Sequence, residues 1–194
     1  MHTICNCDYK FDIISGDGQM SPKHLLTSTI GDQIKLFDDN SKVFGISLKD
    51  RGAILSAGHS ADACYWMNKE GEWISSSYYM SELPKWIVDF QTKNSAKSYL
   101  AKNWNFDNKF NYNLDSLSNF DGNGIIKSTP HGNSILADLA IELMKQEELG
   151  KNESTDFLIL SFSSTDYIGH KYGPHSSEIE DTYKKLDNDI AKII

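Results

Sequence analysis

Two short stretches of this sequence combine charged and metal-ligating side chains at spacings that chemistry can use. The first is Leu48-Lys49-Asp50-Arg51-Gly52. A lysine supplies a compact point charge and an arginine a planar fork of donors, a pairing that suits the oxygens of one phosphoryl group. Gly52 permits a tight backbone turn directly afterwards. On composition alone the same Lys-Asp-Arg tripeptide is also a solvated charged turn, which is the commoner case. The second stretch is Ser163-Ser-Thr-Asp166-Tyr-Ile-Gly169-His170-Lys-Tyr-Gly173-Pro174. Asp166 and His170 stand four apart, so on a helical turn a carboxylate oxygen and an imidazole nitrogen project from one face and suit Zn²⁺. The alternative is an aspartate capping a turn beside a surface histidine. Zinc takes three or four ligands. His59, His131 and His175 are candidates for the remainder, and no spacing selects among them.

Each stretch follows an apolar run that reads as a buried strand. Lys42 to Leu48 and Thr155 to Phe162 have few polar interruptions, the pattern of strands covered on both faces. In open α/β sheets ligands bind outside the carboxyl ends of the strands, so both clusters stand in the right place. Ser21-Pro22 opens a helix that should run to Phe37, with Leu25, Leu26, Ile30, Ile34 and Phe37 on one stripe. Asn133-Ser134 caps a second helix, with Ile135, Leu136, Leu139, Ala140 and Leu143 on its inner face, closing near Gly150. Residues 64–67 and 73–79 flank Asn68-Lys-Glu-Gly71 as a hairpin. Residues 83–93 read as helical, and Ser176-Ser177 leads a last helix carrying Ile179, Tyr183, Leu186 and Ile190. Residues 1–20 read as irregular, as do 96–130, an excursion rich in Asn, Asp and aromatics. Alternating helices and apolar strands predict one α/β domain over 1–194, with a mainly parallel sheet and helices on both faces.

Composition narrows the function further. The chain has 194 residues, 39% hydrophobic and 24% charged, an ordinary globular balance. A net charge of -8 argues against nucleic acid, which demands a basic surface. It leaves room for a small phosphate ester held by two well-placed cations. No apolar run approaches the about 20 residues of a membrane span, and the first residues lack the basic and apolar regions of a secretory signal. Cys5 and Cys7 form a C-x-C pair open to a metal or a disulfide, with a plain polar loop the commoner reading.

Longer stretches carry a resemblance. Ser21 to Gln33, Gly45 to Asp62, Tyr78-Tyr-Met80, Leu83-Pro-Lys-Trp86, Ser128-Thr-Pro-His-Gly-Asn133 and Ser161 to His170 together resemble the phosphate-irrepressible alkaline phosphatases. These belong to the type I phosphodiesterase/nucleotide pyrophosphatase branch of the alkaline phosphatase superfamily. The resemblance covers nearly the whole chain, in order. It implies a partial alkaline-phosphatase-like core and a zinc-dependent phosphate monoester hydrolase. Lys49 and Arg51 would contact the phosphoryl oxygens and stabilise the transition state, and Asp166 and His170 would be two ligands of one of two zinc ions. The family's nucleophilic threonine and first metal-binding aspartate precede the matched region, and an Asp-His pair and a last histidine follow it. Thr27 and Thr29 sit in a different segment, so the resemblance identifies an internal fragment with no nucleophile of its own, inactive when isolated. It also implies a periplasmic or extracellular location. The competing readings are a non-catalytic binding module and a phosphodiesterase or nucleotide pyrophosphatase relative. Neither the oligomeric state nor the natural ester follows from the sequence.

Overall fold

The computed structural model describes residues 7–194. A hairpin opens it: β1 (Cys7–Ile14) and β2 (Gln19–Met20) pair antiparallel across a turn in which Ser15 and Gly18 both have positive φ. The described part of the segment expected to be irregular is thus a hairpin, closed by the same Gly-Asp-Gly that suggested a break. Cys7 is disulfide-bonded rather than a plain loop residue, and Cys5 lies outside the described residues.

The helix expected over 22–37 is two pieces. Ser21 caps only a 3₁₀ turn at Pro22–His24, and the chain then extends at Leu25. A new helix, α1 (Ile30–Phe37), starts where the Thr29 side chain accepts from Asp32 N–H and the Asp32 carboxylate accepts from Thr29 N–H. This reciprocal capping box fixes the start. The apolar stripe faces the core only in part: Ile34 packs against it, while Leu26 and Phe37 are almost fully exposed and Ile30 is largely so.

The central sheet has the order β2-β1-β5-β4-β3-β8. Its core is parallel: β3 (Val43–Ser47) lies between β4 (Ala63–Met67) and β8 (Phe157–Ser161), with Val43 opposite Phe157 and Ser47 opposite Ser161. The two apolar runs are therefore neighbours, and they pair parallel. On the other flank β5 (Trp73–Ser76) returns antiparallel to β4 through the Asn68–Gly71 turn and pairs antiparallel with β1. Side chains alternate across the core strands. Phe44, Ile46, Tyr65, Met67, Leu158 and Leu160 pack on one face, and Val43, Cys64, Trp66, Phe157 and Ile159 on the other. Both faces carry helices: α2 (Asp50–Ala57) covers the second face, while α3 (Lys85–Lys93) and α6 (His131–Gln146) cover the first. Unlike β3, β8 is only half-buried, because among the described residues it has one strand neighbour and stands at the sheet's edge.

Residues 96–130 are not irregular. They form α4 (Ala96–Leu100), the hairpin β6 (Trp104–Phe106) with β7 (Phe110–Tyr112), α5 (Leu114–Asp121) and a 3₁₀ segment at Asn123–Ser128. The polar residues of this stretch make the caps: Ser95 and Asn113 accept from Ser98 N–H and Ser116 N–H. Leu100, Trp104, Leu114 and Ile126 join the same core as β3 and β4. Two helices close the chain, α7 (Ser164–Tyr172) and α8 (Ser177–Ile193), the latter capped by Ser176. Tyr183 and Ile190 of α8 are exposed. Its inner face carries Ile179, Asp181, Thr182 and Asp189, with Asp181 accepting from the buried Trp104 indole.

Candidate active site

Both clusters stand at the carboxyl ends of neighbouring parallel strands. Lys49 follows β3 and is the residue before α2, its N–H bonded to Ser47 Oγ at 3.1 Å. The first turn of α2 lies against the strand ends so closely that a Cβ on Gly52 would stand 2.4 Å from Ser47 Oγ and 2.8 Å from Ser161 Oγ. Only glycine fits that approach without displacing a serine. From β8 the chain enters α7, where Asp166 is in the first turn and His170 one turn later. Ser163 ties the strands together: its hydroxyl is 3.3 Å from Ser47 Oγ and 3.3 Å from Ser161 O.

Three of the four expected residues meet. Lys49 Nζ donates to Asp166 Oδ2, and His170 Nε2 lies 3.3 Å from Asp166 Oδ1. The ammonium also sits 4.4 Å from the centre of the Tyr167 ring, a cation-π contact that the sequence reading missed. The Lys49 hydrogen bond, more than the burial that opposes it, holds the Asp166 carboxyl below its ordinary range, so the group is an anion at neutral pH. Arg51, two positions beyond Lys49, is exposed, and among the described residues no ion pair holds it.

The donor set can be tested against zinc. With bonds of about 2.0–2.1 Å, two ligands of one tetrahedral ion stand about 3.3–3.4 Å apart. The Asp166 Oδ1 to His170 Nε2 separation has that length. Two ligands leave a tetrahedral site half-built, and among the described residues no group of three His, Cys, Asp or Glu side chains converges. His59 lies beside Asp32 at 3.5 Å, His131 begins α6 with its Nε2 buried, and His175 is exposed beyond α7. None of the three joins Asp166 and His170.

Comparison with known proteins agrees with this fold. The sequence profile described as Type I phosphodiesterase / nucleotide pyrophosphatase matches residues 19–194. The chain belongs to that family. Its relatives include a "Calcium-transporting ATPase" of Myroides odoratus, 42% identical over 98% of this chain and 40% of that protein. They also include alkaline phosphatase PafA of Elizabethkingia meningoseptica, 36% identical over 90% of this chain and 37% of PafA. Alkaline phosphatase PhoV of Synechococcus elongatus is 37% identical over 91% of this chain and 37% of PhoV. The crystal structure of wild-type PafA superposes with a TM-score of 0.92 at 34% identity, covering 98% of this chain and 43% of PafA. The chain thus spans about two fifths of the length of the relatives it matches. Within this family, it is a hydrolase-type α/β fold whose clustered side chains lie at the carboxyl edge of the parallel strands.

Proposed function

We propose that this chain is the central part of a zinc-dependent phosphate monoester hydrolase of the alkaline phosphatase type, with the nucleophile and the remaining ligands supplied by sequence outside these residues. The observation that carries the reading is the juxtaposition of Asp166, His170 and Lys49: two ligands at a tetrahedral edge length and a cation on the same carboxylate. The roles divide by chemistry. Asp166 Oδ1 and His170 Nε2 would hold one side of the ion, and the ion would supply Lewis acidity toward the phosphoryl and leaving-group oxygens. Lys49 keeps Asp166 ionised in advance and presents positive charge at the same strand edge. Arg51, exposed on the next residue but one, supplies a bidentate fork for phosphoryl oxygens.

The names of the relatives support phosphoryl hydrolysis: two are alkaline phosphatases and one is an ATPase, and both reactions remove a phosphoryl group. A solved PafA variant carries replacements at a threonine, an asparagine, and a lysine and an arginine two positions apart. Lys49 and Arg51 have that spacing. A small phosphate ester is the substrate class, since the chain is acidic overall and the cations that follow β3, Lys49 and Arg51, suffice for one phosphoryl group. A compartment outside the reducing cytoplasm is supported by the disulfide at Cys7. Among the described residues no helix is long and apolar enough to cross a membrane.

The test uses the chain itself. Zinc binding followed by calorimetry is expected to be weak and to disappear in Asp166→Ala and in His170→Ala. Hydrolysis of a chromogenic phosphate monoester with added zinc is expected to be absent. Zinc binding indifferent to both substitutions would sink the site. Robust turnover abolished by Asp166→Ala would show that the chain holds a complete site of its own.

A further inference from the structure

Asn133, expected at a helix cap, lies inside α6 and is 1% exposed. Its Oδ1 accepts from the backbone N–H of Ser164 at 3.2 Å, across 31 residues of sequence. Ser164 is the first residue of α7, so that N–H is one of the donors a helix cannot satisfy for itself. The residue before it, Ser163, makes no side-chain cap, because its hydroxyl is turned to Ser47 and Ser161. The cap of α7 therefore comes from another helix. The contact is close: a Cβ on Gly132 would stand 2.4 Å from Ser164 Oγ and 2.7 Å from Ile126 O. Packing alone does not account for an amide here. Asn133 Nδ2 is buried with no hydrogen-bond partner, and a half-satisfied buried amide costs stability that an apolar side chain would not.

Two residues beyond Ser164 stands Asp166, and next to it Tyr167. Lys49 touches both, by its ion pair with the carboxylate and its position over the ring. Whatever sets the first turn of α7 therefore sets where Asp166 meets Lys49 and His170. We propose that Asn133 is a positioning residue of the candidate site: its cap on Ser164 holds the first turn of α7 so that one carboxylate faces Lys49 and His170 together. The proposal rests on the reading of Asp166, His170 and Lys49 as the site. Hydrogen-bonded outer partners of ligands tune affinity by about 10–100-fold in metal sites generally.

The experiment reads two independent signals in the folded chain. Ring current from Tyr167 moves the Lys49 ε-methylene resonances upfield, which reports the Lys49–α7 geometry without any metal. Zinc affinity reports the ligand pair. In Asn133→Ala the Lys49 resonances are expected to return toward ordinary lysine values, the Ser164 amide to exchange faster, and the zinc dissociation constant to rise about tenfold. Asn133→Asp, which keeps an acceptor, is expected to restore the first two. Ser134→Ala, which removes the neighbouring α6–α8 bond to Asp189, is expected to lower stability and leave the Lys49 resonances in place. If Asn133→Ala does not fold, Asn133→Gln takes its place, since its acceptor lies one methylene off and should shift the same resonances.

Unchanged Lys49 resonances in the folded variant overturn the proposal, and so does a shift of equal size in Ser134→Ala. Wild-type chain with upfield Lys49 resonances but no Asp166-dependent zinc binding would refute the metal reading alone. The Lys49 signal in the variants would then still decide for or against positioning by Asn133.

Discussion

Replacing Gly45 with alanine should test how rigidly the fold presents Lys49. Gly45 is the middle residue of β3 and faces α2, where an added Cβ would stand 2.6 Å from Ala53 O and 3.0 Å from the Ala57 Cβ. Ordinary contact begins at 3.4 Å, so α2 must withdraw by about 0.8 Å, and the obstacle is a backbone carbonyl that has no rotamer to change. A gap of that size forfeits a quarter to a half of the dispersion energy between facing atoms. Ala53, Ile54 and Ala57, all fully buried, would lose contact with β3 and β4. Overpacking of a core costs about 1–3 kcal/mol, and a rigid obstacle places Gly45→Ala at about 3. Because Lys49 leads directly into α2, the same displacement should pull its ammonium from Asp166. Urea unfolding followed by tryptophan fluorescence gives the stability change, and the Lys49 ε-methylene resonances give the displacement. A variant within about 0.5 kcal/mol of wild type, with an unchanged Lys49 signal, would refute the claim that the β3–α2 contact is closed to a methyl group.

Two further outcomes are expected. His131 is pushed down from 6.5 to about 4, first by burial and then by Lys185 and Lys102, against the opposing Asp189 and Asp181. A histidine held neutral by the fold contributes stability that is fully present above about pH 6.5 and is lost as pH falls toward 4. Between pH 7 and 5 the loss is at most about 2 kcal/mol, and partial exposure of the ring reduces it to about 1. His131→Gln should flatten the denaturation midpoint over that interval, and parallel pH profiles for the two proteins would exclude it. Asp181, nearly buried, accepts from Trp104 Nε1 at 2.7 Å and from Lys185 at 2.6 Å. Asp181→Ala should cost about 2–3 kcal/mol by orphaning the indole N–H, whereas Asp181→Asn should recover at least half in the same denaturation assay. Equal losses in the two variants would show that the indole bond is not the cause.

The parallel core was legible because β3 and β8 announce themselves as unbroken apolar runs, and parallel strands covered on both faces must have that composition. The Asp166–His170 pair was legible from a spacing of four on a helix. Lys49 was legible only as a charged residue after a strand, since its partner lies 117 positions away. The errors came from reading polar residues as loop. Ser95, Asn113 and Thr29 make caps, and each starts a short helix where the sequence looked broken or continuous in the wrong way. The α1 stripe misled in the opposite sense: Ile30, Ile34 and Phe37 have helical spacing, yet only Ile34 packs inward, and Ile30 and Phe37 are exposed. Asn133 was assigned to its own helix, although its side chain serves α7, a long-range bond that no local pattern encodes.

The position of the open sheet edge bears directly on the candidate site. β8 has an apolar side chain at four of its five positions and, among the described residues, a strand on one side only, so its outer edge presents unpaired backbone donors and acceptors. On α1, Ile30, Leu36 and Phe37 are large apolar side chains that stand exposed. A strand added parallel to β8 would lie about 4.8 Å from it, and its carboxyl end would open beside the first turn of α7. Lys49 reaches Asp166 from the β3 side by the same geometry. Side chains from such a strand would approach the Asp166–His170 pair from the side opposite Lys49. The unpaired edge therefore stands next to the candidate site, because β8, which leads into α7 and Asp166, has a strand neighbour on one side only among the described residues.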